Sequence, residues 1–442
     1  MENSKSPGRI IWFIIQVALR AIVFAVLFVS VFILSLWASN GTAGGKLAVG
    51  ATILFSLLLY YVVARYFKSK SRGIWITYFV VALVTMLYIS YRLLPVGSTG
   101  GIKHYSDLKG VPTKYWQLKT GSRIAYYKLQ AEAGMEKKRY PILFLHGGPG
   151  AYVRQLDIDF FKKFTLQGYD VYLYDQVGSG RSGLLPVAQY SHKRNFEDAK
   201  AILDVIGADK YTIVAQSYGC SILADLASDR ISSLRIDKAV YCEPGVIVES
   251  SLPEEKLVFA KSPHVSAEGA TIPLKIMISL AFRNNESFIS QNEVINYAAE
   301  HPELLQALFS QAYPLKDSTR VPKVDISNFN ISSNTAVKRD VLTYRSKKQL
   351  TNGFRSLPVP SILLLGESSY IERSAPMDLL QINPNIRQVQ YLKGVGHLLW
   401  NGLDDNNEKV SKIMSAFLDG DAPVLENYPK QNDIQKFLTE KW

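Results

Sequence analysis

The chain has 442 residues, 48% of them apolar or aromatic and 20% charged, which excludes a disordered tail, a collagen-like repeat or a disulfide-stapled peptide and leaves room for a large buried core. The net charge of +12 is unevenly placed: residues 1–99 carry nine basic side chains against the single acid Glu2, while the remainder is near balance with 41 basic and 37 acidic groups. A basic excess threaded between apolar runs, rather than gathered on one face, is a mark of membrane topology and argues against a nucleic-acid partner.

Three apolar runs come first: Ile10 to Trp37, interrupted only by Arg20, then Leu47 to Ala64 and Gly73 to Tyr91. A bilayer core of ~30 Å needs ~20 helical residues to cross it, so the runs predict three transmembrane helices and a lipid-bilayer anchor over residues 1–99. A cleaved signal peptide is the competing reading of the first run, and the two runs behind it argue against that. Lys5 and Arg9 precede the first run and only Lys46 separates the first from the second. Arg65, Lys68, Lys70 and Arg72 cluster between the second and the third. Basic loops are retained on the cytoplasmic side. The N-terminus is therefore expected inside, with everything beyond Leu94 outside the cytoplasm on the linker Pro95 to Gly101. Arg20 reads as a snorkelling side chain.

After the linker, Tyr115 to Leu129 reads as two alternating strands around a Thr120-Gly121 turn. Strand-like apolar runs recur at Ile142 to Leu145, Val171 to Tyr174, Thr212 to Ala215, Lys238 to Cys242, Ile362 to Leu365 and Val389 to Leu392, separated by helical patterns such as Phe196 to Ile206. Continuous apolar runs suit a parallel sheet covered on both faces, so the expected class is α/β with a doubly wound, mostly parallel sheet. Between Val246 and Pro358 the strands lapse. Amphipathic segments at Pro273 to Phe282, Gln291 to His301 and Glu303 to Tyr313 predict an inserted helical cap. The expected organisation is an anchor over 1–99, a core over 100–245 and 358–442, and a cap over 246–357. Cys220 and Cys242 lie in apolar patterns with no metal-ligand spacing, and are expected buried and unpaired.

Ligands bind beyond the carboxyl ends of strands in such sheets, so the loops there carry the chemistry. His146-Gly147-Gly148-Pro149-Gly150 follows a strand directly, and its glycines let the backbone aim an N–H at a developing oxyanion. A structural turn is the plain alternative. Ala215-Gln216-Ser217-Tyr218-Gly219 lies between a strand and a helix, with small residues two before and two after Ser217, as a nucleophile on a tight strand-to-helix elbow requires. His397 follows the last strand, where an imidazole could accept the serine proton. His104, His192, His264 and His301 fall in linker, loop or cap. Asp175-Gln176-Val177-Gly178-Ser179-Gly180-Arg181-Ser182 lacks the Lys-Ser/Thr ending of a phosphate loop and reads as a structural turn beside the pocket.

HGGPG, the DQxGxGxS loop and the serine elbow, in this order, resemble the α/β-hydrolase superfamily and within it the proline iminopeptidase-like branch, over about residues 111–420. The resemblance implies a Ser217 nucleophile, a His397 base, an oxyanion hole from the N–H groups of Gly148 and Tyr218, and a substrate-selecting cap. It also implies release of an N-terminal residue, often proline, from a short peptide, without cofactor or metal. One element departs from the pattern. The acid expected at G-x-x-D reads Gly366-Glu367-Ser368-Ser369, with Ser369 in the Asp position, and a hydroxyl cannot stabilise an imidazolium as a carboxylate does. Glu243 is the leading substitute, because it ends the strand that should neighbour Ile362 to Leu365 and keeps the order Ser, acid, His. Glu367 and Glu372 are its rivals. A free α-amino group would call for acidic cap residues, of which Glu249, Glu254, Glu255, Glu286, Glu293, Glu300 and Glu303 are available. The expected function is thus a membrane-anchored serine aminopeptidase. An esterase or lipase, or a non-catalytic binding protein on the same fold, are the alternatives.

Overall fold

A computed structural model describes residues 107–245, 290–300, 329–344, 359–369, 371, 374–400 and 405–428, with isolated positions before residue 92. The three predicted spans therefore lie outside the described residues, except at isolated positions such as Ile11, Trp12, Ile22, Leu54 and Tyr88, which are helical and exposed. The linker, the predicted helices at 273–282 and 303–313, and Glu249, Glu254, Glu255, Glu286, Glu303 and Glu372 lie outside as well. Among the described residues no helix is long and apolar enough to cross a membrane. The chain divides into two compact units, residues 1–101 with 271–294 and residues 102–270 with 295–442. The sheet belongs to the second.

That unit opens with β1 (Lys114–Gln117) and β2 (Arg123–Leu129), which pair antiparallel across Gly121 with Lys114 opposite Tyr126. Then come β3 (Ile142–Leu145), α1 (Gln155–Thr165), β4 (Val171–Tyr174), α2 (His192–Ile206), β5 (Tyr211–Gln216), α3 (Tyr218–Ser228), the short α4 (Arg230–Ser233) and β6 (Ile236–Cys242). The long insertion contributes α5 (Gln291–Glu300), which begins within the first unit, and α6 (Ile331–Tyr344). The chain closes with β7 (Ser361–Ser368), α7 (Ser374–Ile382), β8 (Ile386–Gly396) and α8 (Asn406–Asp419). The eight strands lie in the order β1-β2-β4-β3-β5-β6-β7-β8. β2 meets β4 antiparallel and every pairing from β4 to β8 is parallel.

The continuous apolar runs explain the layering. All of β3 and all of β5 are buried, because helices cover both faces. One face packs against Ile202 and Leu203 of α2 and Ile222 and Leu226 of α3. The other packs against Phe160, Phe161 and Phe164 of α1 and Val410, Met414 and Phe417 of α8. Ser191 caps α2 by accepting the Arg194 N–H at 3.0 Å, and Gly207 closes that helix in the left-handed region. β8 is an edge strand, and residues 425–428 cover it. The Tyr428 N–H donates to the Val389 carbonyl at 2.9 Å, Val389 N–H donates to Asn427 Oδ1 at 2.8 Å, and Asn427 Nδ2 donates to the Arg387 carbonyl at 3.1 Å.

Trp400 ties the loop after β8 to the α1 face. It is 2% exposed and stacks on Phe160 with ring centroids 4.6 Å apart, and its Nε1 donates to Asp157 Oδ1 at 2.8 Å. Trp400→Ala should destabilise the unit by ~3–5 kcal/mol, whereas Trp400→Phe, which keeps a ring and loses the hydrogen bond, should cost about 1–3 kcal/mol. Denaturant unfolding of the two variants checks the order.

Candidate active site

Ser217 stands between β5 and α3 with φ 54° and ψ −118°, a left-handed conformation that a side chain bears only under strain. Backbone bonds impose it: the Ser217 N–H donates to the Cys242 carbonyl at 2.9 Å, and the Ser217 carbonyl accepts from Gly245 at 3.4 Å. The flanking small residues have a steric reason. A Cβ on Gly219 would lie 2.1 Å from the Leu145 carbonyl oxygen, and one on Gly147 would lie 2.9 Å from the Ser217 Cβ. The Gly147 loop and the Ser217 turn therefore pack closely, and Gly219, two residues after Ser217, has no room for a side chain.

His397 follows β8 directly and is 2% exposed. Its Nδ1 lies 3.5 Å from Glu243 Oε2 and 3.3 Å from Ser369 Oγ. Glu243 itself is 1% exposed, has φ 48°, and is held at both ends: its N–H donates to the Leu364 carbonyl at 3.0 Å, and its Oε1 accepts the Gly366 N–H. A buried carboxylate survives only with such partners. Of the candidate acids among the described residues, Glu243 is the one the structure brings to the imidazole. Glu367 instead takes the Gly394 N–H at 2.7 Å, between β7 and β8. The strand neighbours explain the convergence. Gln216 is in register with Cys242, Cys242 with Leu364, and Ser368 with Gly396, so Ser217, Glu243, Ser369 and His397 leave adjacent strand ends. Gln216 Nε2 also donates to the His397 carbonyl at 3.4 Å.

The loop expected to supply the first oxyanion donor is pinned by His146. Gly147 O can only accept, so His146 Nδ1–H donates to it at 2.7 Å; Nε2 accepts the Gln176 N–H at 3.0 Å. Complete burial pushes this imidazole down from 6.5 to about 4, so it is neutral at physiological pH. Gly148 has φ +123°, a conformation reserved for glycine. Tyr218, the expected second donor, opens α3, and amides of a first helical turn have no carbonyl one turn earlier within the helix. The Asp175 loop is a structural turn, as expected. Asp175 accepts from Val153 N–H, Arg181 N–H and Tyr127 O–H at 2.7, 2.9 and 2.9 Å, and burial raises its carboxyl to about 6. Cys220 and Cys242 are buried and free.

His192 corrects the sequence reading. Rather than sitting in a loop, it is the first residue of α2, wholly buried, with Nε2 on Asp225 and Nδ1 2.8 Å from the Tyr218 hydroxyl. Asn195 Nδ2 donates to the same hydroxyl at 3.0 Å. No local spacing signals this cluster, because its members come from two helices brought together by packing.

A family model described as alpha/beta hydrolase fold matches residues 140–272, a stretch that holds the oxyanion loop, the elbow and Glu243. This is an α/β-hydrolase fold. Solved structures with likeness to the chain include an enol-lactonase from Burkholderia xenovorans LB400, with 13% identity, 69% of this chain and 100% of that one covered and a TM-score of 0.47. The Cif epoxide hydrolase from Acinetobacter nosocomialis has 18% identity, coverages of 72% and 91% and a TM-score of 0.46. A bacterial membrane phospholipase A has 17% identity, coverages of 83% and 98% and a TM-score of 0.45.

The lowered His146 value has a consequence for this α/β-hydrolase unit. Between pH 6.5 and about 4 the unfolded chain binds a proton there that the folded chain does not. Its contribution to stability is therefore complete above pH 6.5 and is lost as the pH falls toward 4, by an amount on the order of 3 kcal/mol. Asp175, with its raised value, acts in the opposite sense over a similar range. Unfolding free energies of wild type and His146→Gln, compared at pH 7.5 and 4.5, isolate the histidine: the gap between the two proteins should narrow at the lower pH.

Proposed function

We propose that this chain is a serine hydrolase of carboxylic acyl substrates, working through an acyl-enzyme. Ser217 Oγ attacks the carbonyl carbon and passes its proton to His397, whose Nδ1–H faces Glu243 as the imidazolium forms. The Gly148 and Tyr218 amides take the oxyanion. His397 returns the proton to the leaving group, and water, activated by the same base, cleaves the acyl-enzyme. The observation that carries this reading is the pairing of a strained serine at an elbow with a histidine backed by a buried carboxylate on the adjoining strand end. A scaffold without acyl chemistry has no evident need for both.

The proline iminopeptidase-like motifs support an aminopeptidase acting on a small N-terminal residue such as proline. Ester hydrolysis is the second reading, favoured by a specific observation. The described carboxylates around the elbow already have partners: Glu243 has His397, Asp225 has His192, and Asp340 has the His192 N–H at 2.7 Å. The peptidase reading thus needs an acidic cap residue to meet the substrate ammonium. The three apolar runs, with their asymmetric basic flanks, support an anchored enzyme whose hydrolase unit faces out of the cytoplasm.

A fluorophosphonate probe should label the full-length wild type and leave Ser217→Ala unlabelled; absence of wild-type labelling would favour the binding-protein alternative. Comparing a proline arylamide with a short-chain acyl ester decides the leaving group, and turnover of the ester alone removes the peptidase reading. Glu243→Gln should lower kcat by about 10³- to 10⁴-fold. Because Ser369 already touches Nδ1, Glu243→Gln combined with Ser369→Asp should recover at least about tenfold of that loss, measured as kcat on whichever substrate turns over.

A further inference from the structure

Helix α6, from the insertion between β6 and β7, is bonded beside one proposed oxyanion donor, at Pro149, and reaches the other, Tyr218, through His192. At its N-terminus the Asn330 N–H donates to the Gly150 carbonyl at 3.1 Å and Asn330 Nδ2 donates to the Gly178 carbonyl at 2.7 Å. Asn330 Oδ1 meanwhile accepts the amides of Ser332 and Ser333 at 3.0 and 3.2 Å, capping α6. One turn on, Asn334 Nδ2 donates to the Pro149 carbonyl. The contact is close enough that a Cβ on Gly150 would lie 2.6 Å from the Asn330 carbonyl oxygen and 3.0 Å from the Asn334 backbone nitrogen. The Asn334 side chain and the Asn330 backbone thus hold Pro149 and Gly150, directly after Gly148, the residue proposed as the first oxyanion donor.

Toward the other end of α6, Asp340 Oδ2 accepts the N–H of His192 at 2.7 Å. The acceptor at Asp225 fixes the proton of His192 on Nε2, so Nδ1 accepts from the Tyr218 hydroxyl, whose oxygen in turn accepts from Asn195 Nδ2. Both ring nitrogens of His192 and the Tyr218 hydroxyl are bonded in this buried chain, which makes it a stiff connection rather than a loose contact. It ends on the side chain of Tyr218, whose N–H is the second oxyanion donor.

We propose that α6 is a brace for the oxyanion hole, with Asn334 and Asp340 as positioning residues for its two donors, so that the hole is competent only while this helix of the insertion is seated. The inference rests on the serine-hydrolase reading above and assigns part of the insertion a role in transition-state geometry, in addition to substrate selection. Unseating α6 releases the Gly148 loop at one end and the His192–Tyr218 chain at the other. A misplacement of about 1 Å can cost on the order of 100-fold in rate, and a donor must meet the oxygen where charge develops.

The test uses the full chain and the variants Asn334→Ala, Asp340→Ala and Asp340→Asn. In hydrogen exchange, Asn334→Ala should deprotect the peptide covering residues 147–151, and Asp340→Ala should deprotect those covering 192–195 and 218–221. On the acyl ester or arylamide, each Ala variant should lose about 10- to 100-fold in kcat with KM within about twofold, and affinity for a boronic acid that forms a tetrahedral adduct on Ser217 should fall in parallel. Asp340→Asn keeps an acceptor for the His192 N–H and should stay near wild type. Unchanged exchange over residues 147–151 in Asn334→Ala, or losses confined to KM, would overturn the proposal. Fluorophosphonate labelling of wild type separates the two layers. A wild type that does not label overturns the hydrolase reading, and with it the catalytic part of this one, while exchange still decides whether α6 holds the loop.

Discussion

The close approach of three strand ends sets the conformation of Ser217, and most of the site follows from it. The residue leaves β5 into α3 without room for an ordinary turn, because Gly219 rides against the Leu145 carbonyl and Gly147 against Ser217 itself. The backbone therefore takes a left-handed conformation of the kind that costs of order 1–3 kcal/mol, and bonds to Cys242 and Gly245 hold it there. That strain projects a hydroxyl beyond the sheet at the point where α3 begins. The same packing draws the Gly147-Gly148 loop over the Ser217 turn, so the proposed nucleophile and the proposed first donor are positioned by one contact rather than two.

The carboxylate obeys a second constraint, the cost of burying charge. Glu243 is almost fully enclosed, and it is tolerated because the Gly366 amide and the His397 ring meet its two oxygens. Its position one strand earlier than the Gly366 loop leaves that loop with a hydroxyl at Ser369, which also touches the imidazole. The ring is thereby oriented from two strand ends. A neutral neighbour on one side and an anion on the other hold the same Nδ1, a division of labour in which position and charge come from different residues.

Much of this was legible in the sequence, for physical reasons that can be located. β3, the middle of β5 and the end of β6 announce themselves because a strand segment buried on both faces is mostly apolar, and Glu243 follows because adjacent parallel strands end side by side. The ends of β7 and β8 were not legible: the sheet continues through Gly366 to Ser368 and through Lys393 to Gly396, where pairing between the two strands outweighs the weak preference of glycine and serine for strands. His192 was read as a loop residue because nothing local marks a buried histidine whose partners, Tyr218 and Asp225, lie on another helix. The same holds for Asn334 and Asp340, since helical periodicity tells which residues share a face and not what that face meets.

The covered margin of the sheet has a bearing on assembly. With residues 425–428 occupying the Val389 N–H and carbonyl and the Arg387 carbonyl, the first part of β8 is closed to a second copy that would extend the sheet there. Backbone groups left open along a strand invite runaway association. The segment after α8 therefore acts as a selvedge for that stretch, finishing the woven edge where Arg387 and Val389 would otherwise stand open.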